Sequence, residues 1–385
     1  MAQGSTRAGG LPASDYYAPN FKLEVDDKEI SPTSKGDVLD LRITMDKDNL
    51  TSFDLTINNW DDENFTFKYS DGDQFDLGRR IHIQLGYADQ LVSVLRGIIY
   101  SLTPRFAEGG PPTLAVGGLD SLSLLRDHKP TDDSTIKYTN VSDGDIAKKI
   151  ALRHNLVPDA DTGTENQPLV IQKNQDDAVF LMERAKRIDF DCFVQNDPKT
   201  GKDTLYFKKP SDRRDGSKTR TFVFEWGTNL ISFSPTLDLT RQVGKVTVKG
   251  WNPLTKEKIS FTASASDLPQ PGGGKVGANG PAVADKKFAK QEIVVNQPVM
   301  SRQEARDLAI SLLRERAYQY LTGSARAIGM PDLRPGDNVE IANVGQRFDG
   351  VYYVTRVEHQ LGSSGYSMQF DVRRDADGGK KETKK

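Results

Sequence analysis

Two distant stretches of this 385-residue chain share one pattern, and that pattern limits the fold more than any other feature. Leu77-Gly78-Arg79-Arg80-Ile81-His82-Ile83 leads to Leu95-Arg96-Gly97-Ile98-Ile99-Tyr100. Later, Arg334-Pro335-Gly336-Asp337-Asn338-Val339-Glu340-Ile341 leads to Phe348-Asp349-Gly350-Val351-Tyr352-Tyr353. In each, a glycine turn feeds an alternating strand, a short loop follows, and an apolar residue sits two before a second glycine. A β-branched and aromatic run then closes the unit. Glycine ahead of a strand suits a backbone position with positive φ, and alternation lays one side of the strand on a core. The pairing of Gly78, Ile81, Ile83 and Gly97 with Gly336, Val339, Ile341 and Gly350 predicts one β module present twice.

The intervening sequence separates these copies. Leu39, Leu41, Ile43 and Met45 alternate with polar residues, as do Phe53, Leu55 and Ile57 after the turn at Asp46-Lys47-Asp48-Asn49, which reads as a half-buried hairpin. Ile81 to Tyr87, Val92 to Tyr100, and Leu114 with Val116 extend it into a barrel or sandwich. After Asp127 the period changes. Ser142 and Asp145 form a capping box ahead of Ile146, Ala147, Ile150 and Ala151, and a second helix is expected near Asn174. Strands at Phe190–Val194 and Leu205–Phe207 complete a small α+β unit. β character returns from Thr219 through Lys245–Lys249, Ile259 and Phe261. Pro269 to Pro281, with three consecutive glycines, reads as a flexible excursion. Ser301 with Glu304 caps a helix carrying Ala305, Leu308, Ala309, Leu312 and Leu313, expected to end at Gly323.

The expected organisation is a flexible segment over 1–18, a first barrel over 19–127, and an α+β insert over 128–212. A second barrel follows over 213–374 with a loop-helix insertion at 264–325, then a polar tail over 375–385. The fold class is mainly β with α+β inserts.

Bulk properties exclude several functions. The formal net charge of −2 gives no global field toward nucleic acid, and no aromatic-basic interleaving suggests base stacking. No apolar run approaches a membrane span. Residues 1–14 lack a charged start and an apolar core, which predicts synthesis in the cytoplasm without a signal peptide. The single Cys192, between Phe190 and Phe193, excludes an internal disulfide and reads as a small buried residue.

The chemistry-bearing residues form no constellation. His82, His128, His154 and His359 lack partners at metal-ligand spacing. Gly272-Gly273-Gly274-Lys275 has Val276 where a phosphate loop needs Ser or Thr. Asp132-Asp133 and Asp176-Asp177 fit helix and turn caps, and Asp189/Asp191 is a third carboxylate pair of the type glycoside hydrolysis would need. Tyr352-Tyr353, Phe65/Phe67 and Trp226 fall in strand contexts, where core or interface is the ordinary role. The expectation is no enzyme, no cofactor and no metal.

The closing segment, Gly329-Met330-Pro331-Asp332-Leu333-Arg334-Pro335-Gly336 through Phe348-Asp349-Gly350-Val351-Tyr352-Tyr353-Val354-Thr355-Arg356-Val357-Glu358-His359, resembles the phage late control protein D family. That family comprises baseplate hubs of contractile tails and the hub half of VgrG proteins. The resemblance spans about 20–374. It implies two tube-like barrels per chain, joined by the α+β unit and assembled as a homotrimer. Three chains would give six barrels, docking an inner tube on one side and a spike on the other. VgrG chains continue into further domains, so the resemblance implies a spike on a separate chain, in a phage tail or phage-like injection particle. Tyr138-Thr139-Asn140-Val141-Ser142-Asp143-Gly144-Asp145-Ile146-Ala147 is similar to the start of a LysM module. The insert is expected to be structural and to face baseplate wedge or LysM adaptor proteins. Arg79-Arg80 and Gln346-Arg347 are candidate contacts to barrel or tube. The alternatives are a peptidoglycan hydrolase and a LysM-type glycan-binding protein.

Overall fold

The computed structural model describes residues 18–126, 129–132, 136–196, 202–210, 221–252, 255–268 and 279–378. Residues 1–17 of the expected flexible start, His128, Asp133 and residues 269–278 of the expected excursion lie outside them. The end of that excursion is not flexible, because Asn279 caps a helix whose first residues, Gly280 and Pro281, are buried.

The first third builds β1 (Pro19–Val25), β2 (Val38–Asp46), β3 (Asn49–Asn58), β4 (Arg80–Tyr87), β5 (Gln90–Arg105) and β6 (Thr113–Asp120). Alternation buries one face: Leu41, Ile43 and Met45 are buried, with Arg42 and Thr44 between them turned outward, whereas Leu39 near the start of β2 is exposed. Phe53, Leu55, Ile57, Ile81, Ile83, Leu85, Leu114 and Val116 join them in one core. Burying each such side chain contributes about 1.5–3 kcal/mol.

The insert follows as β7 (Lys137–Val141), α1 (Asp143–Arg153), β8 (Val157–Ala160), β9 (Gln167–Ile171), α2 (Asp177–Arg187), β10 (Asp191–Asn196) and β11 (Asp203–Lys208). Its apolar helix faces meet Phe190, Leu205 and Phe207 in a separate core. Both helices start on capping side chains. Ser142 Oγ accepts from Asp145 N (3.2 Å), and Asp176 Oδ1 accepts from Val179 N (2.8 Å).

The last block comprises β12 (Thr221–Glu225), β13 (Leu230–Leu237), β14 (Lys245–Asn252), β15 (Glu257–Ser264), α3 (Gly280–Phe288), β16 (Gln291–Val294), α4 (Arg302–Ala317), β17 (Leu321–Ile328), β18 (Asn338–Ala342), β19 (Gly350–Gly362) and β20 (Gly365–Arg374). Three details differ from the sequence reading. First, β14 and β15 lie in neither barrel sheet. They pair with each other and, through β14, with β16 in a small sheet that packs on α4 around Val246, Val248, Leu308 and Leu313. The parallel β14–β16 contact links segments too distant for alternation to reveal. Second, α4 ends at Ala317 with Tyr318 as its cap. Gly323 lies inside β17, where a Cβ would meet the Phe233 ring at 2.6 Å. Third, Asp375–Gly378 is packed and is no tail. Arg347 Nε donates to Asp377 Oδ2 (3.0 Å), Gly280 N donates to Asp375 O (3.1 Å), and Ala376 is buried.

Most strands merge into one large sheet, in the order β13-β17-β20-β19-β2-β3-β6-β5-β4-β1, with β18 pairing β19 and β12 pairing β18. The two barrel cores, one around Leu41 and Ile83 and one around Val339 and Phe370, sit on this sheet. The sheet is mainly antiparallel, and apart from one short helix at Pro32–Gly36 the α-helices lie in the insert and beside β14.

Candidate assembly edges

The duplication is legible in the strand order. β2, β3, β4, β5 and β6 pair as β2-β3-β6-β5-β4, and β13, β17, β18, β19 and β20 pair as β13-β17-β20-β19-β18. Sequence order and spatial order match throughout. The leading glycines are equivalent at the level of single bonds. Gly78 N donates to Ile99 O and Gly336 N donates to Val354 O, both at 2.9 Å, with φ of +82° and +94°. The return bonds also match: Ile99 N donates to Arg79 O and Val354 N to Asp337 O, both at 3.0 Å.

The second glycines are offset. Ile81 pairs with Gly97, whereas its counterpart Val339 pairs with Tyr352, and Gly350 faces Ile341. Gly97 sits mid-strand, where an added Cβ would lie 2.2 Å from Leu119 O. Gly350 opens β19 at φ +133° with Arg374 against it. The sequence places both in one motif because each follows an apolar residue by two, yet they answer different constraints.

The two units join within the chain. Beyond Val354 strand β19 bulges, and Arg356–Gly362 pairs antiparallel with Asp40–Asp46 of β2 while keeping β20 on its other side. Leu361 and Tyr366 thereby enter the first core. β5 has the same bulge, between Ile99 and Ser101, and its end Ser101–Arg105 continues along β6. Here the match stops. Among the described residues, Ser101–Arg105 has a strand on one side only, and β13 pairs only with β17. These are the two unpartnered edges that the duplication creates.

The outward face of the joined strands is polar. Arg42 and Thr44 of β2, Asp54 and Thr56 of β3, and Glu358 and Gln360 of β19 alternate with buried residues. Its charges offset one another: Arg42 and Arg356 both approach Glu358, at 3.6 and 2.8 Å, and Gln360 Nε2 donates to Asp40 Oδ1 (3.1 Å).

The candidate contact loops serve intrachain roles. Arg79 reaches Asp73 at 3.0 Å and Asp26 at 3.7 Å, and Arg80 N donates to Asp26 Oδ1 (3.0 Å). Arg347 holds Asp377, and Gln346 is exposed. Arg79-Arg80 opens β4 whereas Gln346-Arg347 follows β18, so the structure does not place them at matching points of the two units. Phe65 stands out instead, 77% exposed at positive φ on a turn that Asp61 holds through the backbone N–H groups of Glu63 and Asn64.

The titratable groups are structural in their contacts. His154 caps α1 and meets Asp177, which also binds Arg153. His82 lies between Glu24 and Ser93, at 2.8 and 2.9 Å. His359 is fully buried in mid-strand beside Tyr366, and burial pulls it down to about 3. Burial lifts Asp120 to about 7, although its side chain accepts from Thr51 N and Leu122 N. Asp191 is raised by burial, and Tyr353 OH donates to it at 2.7 Å. Burial pushes the Cys192 thiol up to about 12. Among the described residues no group of three or more His, Cys, Asp or Glu could hold a metal ion, and no helix is long and apolar enough to cross a membrane.

These features define a class. The chain has the fold of phage-tail proteins and type VI secretion components. Its likeness to the 43 kDa tail protein of prophage MuSo2 from Shewanella oneidensis has a TM-score of 0.67 at 14% identity, covering 93% of this chain and 99% of that one. The tail protein from Neisseria meningitidis MC58 gives 0.65 at 15%, covering 93% and 97%. An Escherichia coli component of the type VI secretion system, described as similar to phage T4 tail proteins gp27 and gp5, gives 0.58 at 11%, covering 94% and 79%. No curated protein matches the sequence. The model of the family described as the Alg8 N-terminal domain matches residues 17–363, and the chain belongs to that family.

Proposed function

We propose that this protein is the structural hub of a contractile tail or phage-like injection particle, working as a homotrimer whose six barrels join a six-fold inner tube to a three-fold spike. The observation that carries this reading is the repeated five-strand order, which gives one chain two similar barrels. A tube of six subunits and a spike of three need an adaptor that presents six similar sites on one side and three on the other, and three duplicated chains supply it. Relatives with the same fold described as tail and secretion components support it. The polar, charge-compensated outward face suits a surface lining a hydrated passage.

The division into barrels over 19–127 and 213–374, with an insert over 128–212, belongs to this reading. The insert would face outward toward wedge or adaptor proteins. The role is mechanical, without catalysis or cofactor, and the place of action is the assembled particle. The repeated residues from Gly78 to Gly97 and Gly336 to Gly350 serve the two barrels. Arg79, Arg80, Gln346 and Arg347 are surface contacts in this scheme.

Co-assembly tests it. The purified protein is expected to bind the tube and spike proteins encoded beside it simultaneously, each leaving the other's affinity unchanged. Binding to neither overturns the hub reading. Clearing of peptidoglycan in a zymogram, lost on substituting Asp189 or Asp191, would instead establish the hydrolase.

A further inference from the structure

We infer that a second copy of this chain seats its β13 edge against the end of β5, in the register that β19 and β2 already use within one chain. This rests on the hub reading and gives it a contact surface. Ile99 and Val354 are equivalent through their matching bonds, and both strands bulge immediately afterwards. Leu102, Thr103, Pro104 and Arg105 therefore stand where Val357, Glu358, His359 and Gln360 stand. Within the chain those four face Met45, Thr44, Ile43 and Arg42.

β13 is the counterpart of β2. Ile43 pairs with Phe53, which pairs with Gly118, and Pro235 pairs with Gly323, which pairs with Val372. Gly118 faces Ile99 and Val372 faces Val354, so the two series coincide. Carrying the register over sets Leu102 against Leu237, Thr103 against Thr236 and Pro104 against Pro235 of the next copy.

The chemistry of the two edges suits this pairing. Leu102 and Leu237 are half-buried extensions of the two barrel cores, placed to close on each other. The Pro104–Pro235 step has no N–H on either side. Each edge thus resists indiscriminate strand addition while free, and this step carries no ladder bond. The two edges are different surfaces, so the contact is head-to-tail, the type that forms a ring when the rotation between copies is the three-fold one of the proposed hub.

Opposed residues of an antiparallel pair lie about 4.5–5.5 Å apart, within disulfide reach. Thr103 and Thr236 are exposed, so replacing them does not disturb a core, and the lone Cys192 is buried. Oxidation of a Thr103→Cys/Thr236→Cys variant is expected to give covalent dimers and trimers on a non-reducing gel. Thr103→Cys/Ser234→Cys, which pairs only after a two-residue slip, is expected to stay monomeric on the gel. Glu358→Cys/Thr44→Cys reports the same geometry within one chain. A trimeric mass in solution with no cross-link in the first variant, or with stronger cross-linking in the slipped one, overturns this register and leaves the hub reading standing. A monomeric mass at tens of micromolar overturns both.

Discussion

At Gly97 an added methyl would lie 2.2 Å from the Leu119 carbonyl oxygen, which belongs to a paired strand and cannot move aside. Gly78 has the opposite constraint, a φ of +82° with nothing within 4 Å. Gly97→Ala is therefore expected to cost about 2–4 kcal/mol, against about 1 kcal/mol for Gly78→Ala, measured from urea midpoints. Equal costs would contradict the different constraints at these two glycines, a steric clash at Gly97 and a positive φ at Gly78. Two buried titratable groups give pH dependence of opposite sign. Asp120 holds its proton more tightly in the folded than in the unfolded chain, so the stability it contributes is lost as pH rises from about 4 to about 7. His359 resists protonation when folded, so its contribution is lost as pH falls from about 6.5 toward 3. Between pH 5 and 8 Asp120→Asn is expected to flatten the fall in melting temperature that the buried carboxyl predicts for the parent protein. An unchanged slope would contradict a protonated buried carboxyl.

Among the elements, the insert is tied to the rest of the molecule by specific polar contacts and by Leu122 and Leu125, which join its core. Arg314 Nη1 donates to Asp189 (2.9 Å), Arg187 meets Glu304 (2.8 Å), Ser311 Oγ donates to Lys186 O (2.9 Å), and Tyr353 OH reaches Asp191. Tyr353→Phe removes the hydroxyl donor from a fully buried carboxyl, so a loss of about 1–3 kcal/mol is expected. A parent-like urea midpoint would mean that Asp191 has another adequate partner. Ser301→Ala removes the α4 cap and is expected to cost about 1 kcal/mol by the same measurement. Those caps were legible in the sequence, because a serine three residues before an acidic one ahead of a helical apolar stripe is a local signal. The Leu39–Ile57 hairpin was legible for the same reason. The end of α4 was not: Gly323 resembles a helix stop, but its smallness serves the Phe233 ring across a strand pair. Nor was the sheet of β14, β15 and β16, since alternation says that a segment is a strand and not which strand it joins. The paired edges were similarly hidden. β13 and the end of β5 look like ordinary strands until the long-range order shows that their counterparts are paired.

For the whole molecule, duplication without internal closure is the governing fact. Among the described residues the chain satisfies one of two equivalent junctions, β19 on β2, and leaves the other open at Ser101–Arg105 and at β13. The first barrel also carries the Asp61-anchored turn that displays Phe65, where the second has only the short Gly329–Asp337 connection. In the proposed ring this makes alternate barrels differ on one side, which is the symmetry a three-fold partner needs. Phe65→Ser is expected to leave the melting temperature within about 1 °C, since the side chain contributes little buried area. A larger fall would place Phe65 in the fold and not on a display surface. The central claim is that three chains imitate six, and electron cryomicroscopy of the purified protein viewed down its symmetry axis tests it most directly. The account predicts a closed three-fold particle with six similar barrels and a mass three times 42.7 kDa. A stable monomer, or a two-fold particle, would contradict it.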